Sequence, residues 1–480
     1  MSQKIPMKDL VVILPGITGS VLQKDGKDIW AISGQAIWQA LTNLGGTIQD
    51  LKIEQDDPEA ESLEDGIKAT QLVEDAHLIP GLVKIDGYTK TAGLISDSFD
   101  IIRGDIYNDP DDKAANFYHF PYDWRRDNRA SARLLKRLLD KRLKRWREAS
   151  GAEDAKVILL AHSMGGLISR YYLEVLEGWR DCRALFTFGT PYRGSLKAVN
   201  FLANGYKMQF LDLTEVLRSF TSIYQLLPIY QMVKIGEDYL RISEADNLPH
   251  IVKDRALDAL AFHREIEVAV NKHLNDETYR NSFTIIPIAG IKQPTLQSAE
   301  LINGQLIVSE KLPKVLQNRP DLADGDGTVP QVSAIPIELS SSFNNTFIAE
   351  CHGSLQNQSQ ILEDLRNRLE LSQFNLATVR ATQTAISLAL EDLYLADEPI
   401  AMRARVITTP GWLTGKLQAQ ITSVSDEKPP INLNFEQQEQ EWVLAIDDLL
   451  PGLYRVTVRT ENTSEQAPIP VHDLFEVVKK

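Results

Sequence analysis

Short apolar runs alternate with helical patterns over residues 10–370. The runs Val11–Leu14, Val157–Leu160 and Thr284–Gly290 are bounded by polar or turn residues and predict buried strands. Residues 167–173 carry apolar side chains about every four positions and predict a helix. Strands that alternate with helices in this way indicate an α/β fold.

Two segments depart from this alternation. Residues 196–282 contain an apolar, aromatic-rich helical stretch, which predicts an insertion packed on the α/β core. Residues 41–90 form a second insertion. Its Asp and Glu residues cluster between positions 54 and 65, which predicts a solvated loop.

Residues 384–480 have a different pattern. Apolar and polar residues alternate with period two in four short runs, namely Ile400–Ile407, Leu417–Ile421, Trp442–Ile446 and Tyr454–Val458. Turn residues such as Pro410 and Gly411 separate these runs. The spacing predicts a small β-sandwich of immunoglobulin-like plan over 384–480, beside a larger α/β domain over 1–375.

Composition narrows the possible partners. Hydrophobic residues make up 43% of the 480-residue chain, which is enough for a full core. The chain has 51 basic and 66 acidic residues, so its formal net charge is −15. This charge argues against a nucleic-acid partner and against electrostatic docking on anionic lipid surfaces.

Cysteine content and the N-terminal sequence bear on location. The two cysteines, Cys182 and Cys351, do not make a disulfide framework, which favours a reducing compartment. Residues 1–6 lack the apolar region of a signal peptide, and no stretch reaches the roughly 18 apolar residues of a membrane helix. We therefore expect a cytoplasmic protein without a transmembrane segment.

The sequence Ala161-His-Ser-Met-Gly-Gly166 joins the predicted strand at 157–160 to the helix that follows. A serine at the tip of such a turn has a strained, positive-φ backbone and an exposed hydroxyl. The positions two before and two after it must be small, and here they are Ala161 and Gly165. Ser163 is therefore the candidate nucleophile.

A nucleophile on this kind of turn is followed along the chain by an acid and then by a histidine. The turn Asp324-Gly-Asp-Gly-Thr-Val-Pro330 supplies two candidate carboxylates. We prefer Asp326 to Asp324 because it directly precedes the sequence that begins the next element. A calcium loop of the EF-hand type is excluded, since residues 327–331 do not supply the required oxygen ligands.

Of the 8 histidines, only His352 and His472 follow Asp326. His352 lies between a predicted strand at 346–351 and a predicted helix from about Ser354 to Leu371, and we assign it as the general base. We interpret His472 as a surface residue. His162, beside the nucleophile, is interpreted as a structural or site-lining residue.

The N-terminal strand runs into the loop Pro15-Gly-Ile-Thr-Gly-Ser20. A glycine-bearing loop allows backbone N–H groups to approach a substrate oxygen closely. We predict an oxyanion hole formed by the N–H groups of Ile17 and Met164. A phosphate-binding P-loop is excluded by the glycine spacing and by the missing lysine.

Five motifs together resemble the lecithin:cholesterol acyltransferase family, which includes lysosomal-type phospholipases A and phospholipid:diacylglycerol acyltransferases. They are Pro-Gly-Ile-Thr-Gly-Ser at 15–20, Phe-Pro-Tyr-Asp-Trp-Arg at 120–125, Ala-His-Ser-Met-Gly-Gly at 161–166, Gly-Thr-Pro-Tyr-Arg-Gly-Ser at 189–195 and Asp-Gly-Asp-Gly-Thr-Val-Pro at 324–330. The resemblance covers residues 10–370. It implies an α/β-hydrolase fold with a cap over 196–282.

The resemblance places the catalytic triad on Ser163, Asp326 and His352, and the oxyanion donors on Ile17 and Met164. Phospholipase members often have an acidic residue where this chain has Ile17, a difference that bears on head-group preference. A buried pair that Asp123 forms with Arg125 or Arg126 is interpreted as scaffold that shapes one wall of the pocket. The cap is either a lid that opens at a lipid surface or a permanently packed cover.

The expected function is a lipid acyl-ester hydrolase or O-acyltransferase that needs no cofactor and no metal. Its expected partners are a lipid ester, at a membrane or lipid-droplet surface, and an alcohol acceptor. A non-lipid esterase is an alternative of the same class. The alternative from another class is a catalytically silent hydrolase fold that binds partners through its β-sandwich.

Overall fold

The computed structural model describes residues 4–30, 49–73, 77–79, 83–208, 211–339, 347–371, 385–396, 398–407, 416–424, 428–438, 441–446, 449–461, 468 and 470–479. The predicted boundary between the two domains, at 375–384, and the predicted turn at 410–411 lie outside the described residues.

The strands and helices follow one another along the chain in the pattern that the apolar runs predict. The strands are β1 (Ile5–Pro6), β2 (Leu10–Leu14), β3 (Ser20–Lys24), β4 (Lys27–Trp30), β5 (Ile67–Leu72), β6 (His77–Ile79), β7 (Val83–Ile85), β8 (Phe99–Asp100), β9 (Phe117–His119), β10 (Val157–His162), β11 (Cys182–Phe188), β12 (Lys207–Met208), β13 (Leu211–Asp212), β14 (Val233–Ile235), β15 (Asp238–Leu240), β16 (Thr284–Gly290), β17 (Ser298–Ile302), β18 (Gln305–Ser309), β19 (Phe347–Ile348), β20 (Ala385–Ala389), β21 (Leu393–Leu395), β22 (Ile400–Ile407), β23 (Leu417–Ser423), β24 (Ile431–Asn434), β25 (Glu436–Gln438), β26 (Glu441–Ile446), β27 (Gly452–Thr460) and β28 (Val471–Val478). The α-helices are α1 (Thr89–Ser98), α2 (Asn128–Ser150), α3 (Met164–Glu174), α4 (Leu196–Asn204), α5 (Thr214–Ser219), α6 (Thr221–Gln225), α7 (Lys253–His273), α8 (Glu277–Ser282) and α9 (Ser359–Leu371).

The central sheet has the strand order β19-β16-β11-β10-β2-β9, and every neighbouring pair runs parallel. Strands β2 and β10 are buried at every position. Parallel strands covered on both faces require continuous apolar runs, which is why the runs at 11–14, 157–160 and 284–290 predict them correctly. Because the strands are parallel, their carboxyl ends share one edge of the sheet, and the candidate site lies there.

The insertion at 196–282 contains α4 to α8, as its helical pattern predicts, but it also contains short strands. Strands β14 and β15 form a hairpin, and β14 pairs with β17, which follows the central strand β16. The hairpin turn includes Gly236 with φ of 62°. Glycine accepts this left-handed backbone in a tight turn, so two three-residue runs pair here although the flanking pattern is helical.

The C-terminal region folds as two facing sheets. Their orders are β20-β22-β26-β25 and β21-β28-β27-β23-β24. Residues from both sheets, including Met402, Leu444, Val456 and Phe475, belong to one buried apolar cluster. The alternating runs therefore predict a two-layered β structure correctly, and the immunoglobulin-like plan stays a prediction.

The last helix begins later than the sequence predicts. Residues His352–Asn357 form a 3₁₀ turn, and α9 begins at Ser359. The side chains of Gln356 and Asn357 donate hydrogen bonds to the carbonyls of Gly87 and Asp86. These bonds tie the turn to the segment after β7, so the helix cannot start at Ser354 as predicted.

Candidate active site

Ser163 occupies the turn between β10 and α3. Its backbone angles are φ 51° and ψ −122°, a strained conformation for a residue with a side chain. Its N–H donates a hydrogen bond to the carbonyl of Phe188 at 2.8 Å, which anchors the turn to the neighbouring strand. A Cβ atom on Gly165 would lie 2.5 Å from the carbonyl oxygen of Pro15, so the small residue predicted there is required by close packing.

Ser163, His352 and Asp326 form a continuous hydrogen-bonded chain. Ser163 Oγ lies 2.9 Å from His352 Nε2, and His352 Nδ1 lies 2.7 Å from Asp326 Oδ2. The backbone N–H of His352 also donates to the carbonyl of Asp326 at 2.8 Å. The structure therefore brings together the three residues that the sequence analysis singles out, although up to 189 positions separate them.

Asp326 is held as an acceptor of several hydrogen bonds. Its Oδ1 accepts from the N–H groups of Thr328 and Val329 at 2.9 and 2.7 Å, which leaves Oδ2 for His352. The side chain is 1% exposed. Asp324 has no hydrogen bond to His352 among the described residues, and its carbonyl accepts from Gln297. Burial raises the pKa of the Asp324 carboxyl.

The loop at 15–20 packs directly against the nucleophile. A Cβ atom on Gly16 would lie 2.9 Å from Ser163 Cβ. Within the described part of the chain, the N–H groups of Ile17 and Met164 make no hydrogen bond to the protein. Met164 is also the first residue of α3, where the helix dipole favours negative charge. Both N–H groups therefore stay available for a substrate oxygen.

Tyr88 and His162 join this loop to His352, the candidate base. The sequence patterns do not point to Tyr88. Tyr88 Oη accepts from the N–H of Gly16 at 2.9 Å and lies 3.0 Å from His162 Nδ1. His162 Nε2 lies 3.1 Å from the carbonyl oxygen of His352. Since that carbonyl can only accept, Nε2 carries the ring proton and Tyr88 donates to Nδ1.

Burial, together with the nearby His352, lowers the pKa of His162 to about 3. His162 is therefore neutral at physiological pH and acts as a fixed hydrogen-bond bridge. This agrees with its interpretation as a structural residue. The only signal for this role in the sequence is its position beside the nucleophile.

The motif at 120–125 supports the same loop from the other side. Tyr122 Oη donates to the carbonyl of Pro15 at 2.9 Å, and Trp124 Nε1 donates to that of Ser20 at 3.0 Å. Arg125, which is fully buried, pairs with Asp123 and with Asp65. The scaffold interpretation of this motif fits these contacts.

The prediction of a solvated acidic loop is wrong for part of the segment at 54–65. The carboxylate of Asp56 is 3% exposed and lies 3.2 Å from Arg126 Nε. Asp65 pairs with the buried Arg125 at 2.9 Å. A buried guanidinium needs a carboxylate partner, so these acidic residues are drawn onto the core.

An apolar pocket opens at Ser163. Its lining is mostly apolar, and part of it is open to solvent. Ser163, His352, Ile17 and Trp124 contribute to its wall. The insertion supplies much of the remaining surface through Ala198, Phe201, Leu213, Val216, Leu217, Phe220, Ile223 and Leu226. This shape and chemistry suit a hydrocarbon chain.

His472 is not a free surface residue, so that interpretation is wrong. Its Nδ1 lies 2.7 Å from Glu350 Oε2, and its side chain is 24% exposed. The Glu350 carboxylate is fully buried and lies two residues before His352. The contact between Glu350 and His472 spans 122 positions of the chain, so no local sequence pattern predicts it.

The described residues hold no cluster of His, Cys, Asp and Glu suited to a metal ion. Cys182 and Cys351 are both buried free thiols. Across the described ranges, no helix has the length and apolar character needed to cross a bilayer.

A strained serine after a central parallel strand, with its acid and histidine following in that order, defines the α/β-hydrolase architecture. Residues 112–284 match the sequence model of the lecithin:cholesterol acyltransferase family. A human lysosomal phospholipase A and acyltransferase is 30% identical over 119 residues, which are 22% of this chain and 27% of the relative. The resemblance inferred from the motifs is thereby confirmed, and the chain spans about a quarter of that curated relative.

Solved structures give weaker likenesses. A Bacillus licheniformis lipase in its propeptide form is 10% identical with a TM-score of 0.32, over 99% of this chain and 94% of the lipase. A Legionella pneumophila phospholipase is 10% identical with a TM-score of 0.19, over 98% and 92% of the two chains. A CARDB domain from Pyrococcus furiosus covers 20% of this chain and 94% of its own length, at 10% identity and a TM-score of 0.15. Scores this low carry no argument about function.

Proposed function

We propose that this protein is a serine-dependent lipid acyl-ester hydrolase or O-acyltransferase. The observation that carries the proposal is the Ser163–His352–Asp326 chain, with distances of 2.9 and 2.7 Å, at the mouth of an apolar pocket. The pocket suits an acyl chain, and the triad suits attack on the ester carbonyl at the end of that chain.

In the first half-reaction, Ser163 Oγ passes its proton to His352 Nε2 and forms a bond to the ester carbonyl carbon. The N–H groups of Ile17 and Met164 receive the negative charge on the carbonyl oxygen. Asp326 orients the imidazole and stabilises its charged form. The carbon–oxygen bond to the alcohol then breaks, and His352 Nε2 protonates the departing alkoxide.

In the second half-reaction, His352 takes a proton from water or from an alcohol, whose oxygen bonds to the acyl carbon. The bond to Ser163 Oγ breaks, and the serine recovers its proton. Hydrolase and acyltransferase use the same residues up to this point. They differ only in which hydroxyl reaches the acyl-enzyme.

The proposal includes a lipid ester as acyl donor, presented at a membrane or lipid-droplet surface, and an alcohol as optional acceptor. It needs no metal or cofactor, because the triad and two backbone N–H groups supply the acid–base and oxyanion chemistry. A cytoplasmic location is part of the proposal. The buried free thiols of Cys182 and Cys351 support a reducing compartment.

The test is a product assay with a phospholipid whose acyl chains are radiolabelled, with and without a long-chain alcohol, sterol or diacylglycerol. Free fatty acid made by the wild type and not by Ser163→Ala supports a lipid hydrolase. A new acyl ester that appears with the acceptor, at the expense of free acid, supports an acyltransferase. Ser150→Ala, which changes an exposed serine at the end of α2, is the matched control and should behave as wild type.

The absence of any product from lipid esters would contradict the proposal. Turnover of short, water-soluble esters alone would then favour the non-lipid esterase. No Ser163-dependent turnover of any ester would favour a binding protein.

A further inference from the structure

The segment 350–352, which ends at the proposed general base, is held by the C-terminal β-sandwich that β20 to β28 form. Glu350, Cys351 and His352 follow β19 of the central sheet. Glu350 and Cys351 contact the sandwich, and His352 contacts Ser163 and Asp326. The base is therefore carried on a short segment that lies between two parts of the molecule.

The Glu350 carboxylate receives most of its partners from β28. Its Oε1 accepts from the N–H groups of Cys351 and His472, both at 2.9 Å, and its Oε2 faces His472 Nδ1 at 2.7 Å. The carboxylate is fully buried. A buried charge that loses its partners is costly, so the loop cannot keep this position without β28.

The side chain of Cys351 points the same way. It belongs to the apolar cluster of the sandwich, together with residues such as Met402 and Phe475. The residue directly before the base is thus packed into the core of the other domain. Two adjacent residues, one charged and one apolar, make independent contacts with the sandwich.

The residue that follows His352, Gly353, is held by β7 and the segment after it. Strand β7 lies against the turn that begins at His352, and the N–H of Asp86 donates to the carbonyl of Gly353 at 2.9 Å. Lys84 pairs with Asp392 and Asp473 of the sandwich at 2.5 and 3.1 Å. Asp86 pairs with Arg455 of β27. The sandwich therefore contacts Cys351 directly and reaches Gly353 indirectly, through Asp86.

We infer that the β-sandwich is part of the catalytic apparatus, with His472 acting through Glu350 as a positioning residue for His352. The inference rests on the proposed function, because it assigns His352 as the base. It gives the sandwich a role that the triad alone does not require.

The charge of His472 makes the arrangement sensitive to pH. Burial alone would lower the pKa of His472, but Glu350 outweighs this effect and the pKa is raised. Lys90 and Asp86 are the other charged groups that act on it, in opposite directions. A raised pKa means that the pair stabilises the folded loop fully at pH below the ordinary histidine pKa. That contribution is lost as the pH rises through the folded-state pKa.

The experiment measures kcat and KM of full-length variants on the ester that the wild type turns over. His472→Ala and Glu350→Gln should each lower kcat by about tenfold or more with KM within about twofold, since small displacements of a base are costly. The double variant should be no slower than the slower single variant, because both remove one interaction. Glu441→Gln, which breaks the outer Arg405–Glu441 pair of the same sandwich, is the matched control and should match wild type.

His472→Gln separates positioning from general support of the fold. Glutamine keeps a donor for Glu350 but does not titrate, so this variant should recover part of the lost kcat. Its kcat should also lack the decline that the wild type shows as the pH rises through the folded-state pKa of His472. His472→Gln also serves if His472→Ala does not fold.

The inference is overturned if His472→Ala has a kcat within twofold of wild type, or if its loss is matched by Glu441→Gln. Failure of the proposed function looks different, because the wild type itself would then show no Ser163-dependent turnover. In that case ¹⁵N-histidine NMR decides the inference. His472→Ala should shift the His352 ring signals and Glu441→Gln should not, and unchanged His352 signals in His472→Ala would contradict it.

Discussion

The proposed nucleophile, Ser163, and the proposed base, His352, are held in place by opposite means. Ser163 sits on a turn built from residues adjacent in sequence, between β10 and α3 of the central sheet. His352 sits on a segment whose neighbouring residues contact the C-terminal sandwich, and Glu350 meets His472 across 122 positions of the chain. The Ser163 turn is specified mainly by residues adjacent in sequence, whereas the position of His352 depends on tertiary contacts.

This difference predicts that the two residues respond differently to changes elsewhere in the molecule. The turn at Ser163 needs small residues at fixed positions and a buried strand before it. The base loop supplies the buried carboxylate of Glu350 and the apolar side chain of Cys351, and the sandwich supplies partners for both. Perturbing the sandwich should therefore displace His352 and leave the turn at Ser163 intact.

The largest effect is expected from Ser163→Ala. Loss of the nucleophile should reduce kcat by about six orders of magnitude, to the background of the oxyanion hole and binding alone. The thermal unfolding midpoint should stay at or above the wild-type value, since removing the hydroxyl leaves no buried charge without its partner. Turnover measurements and calorimetry check this, and residual activity near wild type would show that the nucleophile lies elsewhere.

The second largest effect is expected at the acid. Asp326→Asn should lower kcat by about 10⁴-fold, because an amide cannot orient and stabilise the charged imidazole. Asp324→Asn is the matched control two residues away and should stay within about threefold of wild type. A larger loss at Asp324 than at Asp326 would reverse the assignment.

These two predictions rest on residues that the sequence could supply. Ser163 and Asp326 both lie in turns with strong glycine patterns, and the Ser163 turn directly follows an apolar run that predicts a buried strand. His352 could be placed because histidine is scarce after Asp326. The central sheet follows from the same apolar runs.

The supporting contacts could not be predicted in this way. Tyr88 bonds Gly16 across 72 positions, and Glu350 meets His472 across 122. Tyr88, Glu350 and His472 lie outside the five motifs, and both bonds depend on which elements are neighbours in space. The misplaced start of α9 has the same origin, because side chains of residues 356–357 bond to carbonyls near residue 87.

A third prediction tests the local half of the comparison. Gly165→Ala should lower the free energy of unfolding by about 2–3 kcal/mol, because its Cβ would lie 2.5 Å from the Pro15 carbonyl oxygen. Activity should fall as the oxyanion loop moves. Gly93→Ala in α1 is the control, since a Cβ there meets nothing within 4 Å. It should stabilise the protein by up to about 1 kcal/mol in chemical denaturation.

The smallest effect is expected at Tyr88, whose hydroxyl bridges the loop at 15–20 and His162. Tyr88→Phe leaves the N–H of Gly16 and His162 Nδ1 without their buried partner, which should cost about 1–3 kcal/mol of stability. We expect kcat to fall by about three- to tenfold, with the same pH profile. Tyr454→Phe removes a hydroxyl bonded to a carbonyl at 2.7 Å within the sandwich, and it should leave kcat unchanged. Equal effects of the two variants on kcat would argue against a bridge at Tyr88.

The most direct test of the account is to trap the acyl-enzyme. The protein is mixed with a long-chain acyl ester, quenched in acid within the first turnovers and analysed by intact-protein and peptide mass spectrometry. The account predicts a mass increase of one acyl group, located on the peptide that contains Ser163 and absent from Ser163→Ala. An acyl group on any other residue, or turnover of the ester with no covalent adduct in rapid-quench samples, would contradict it.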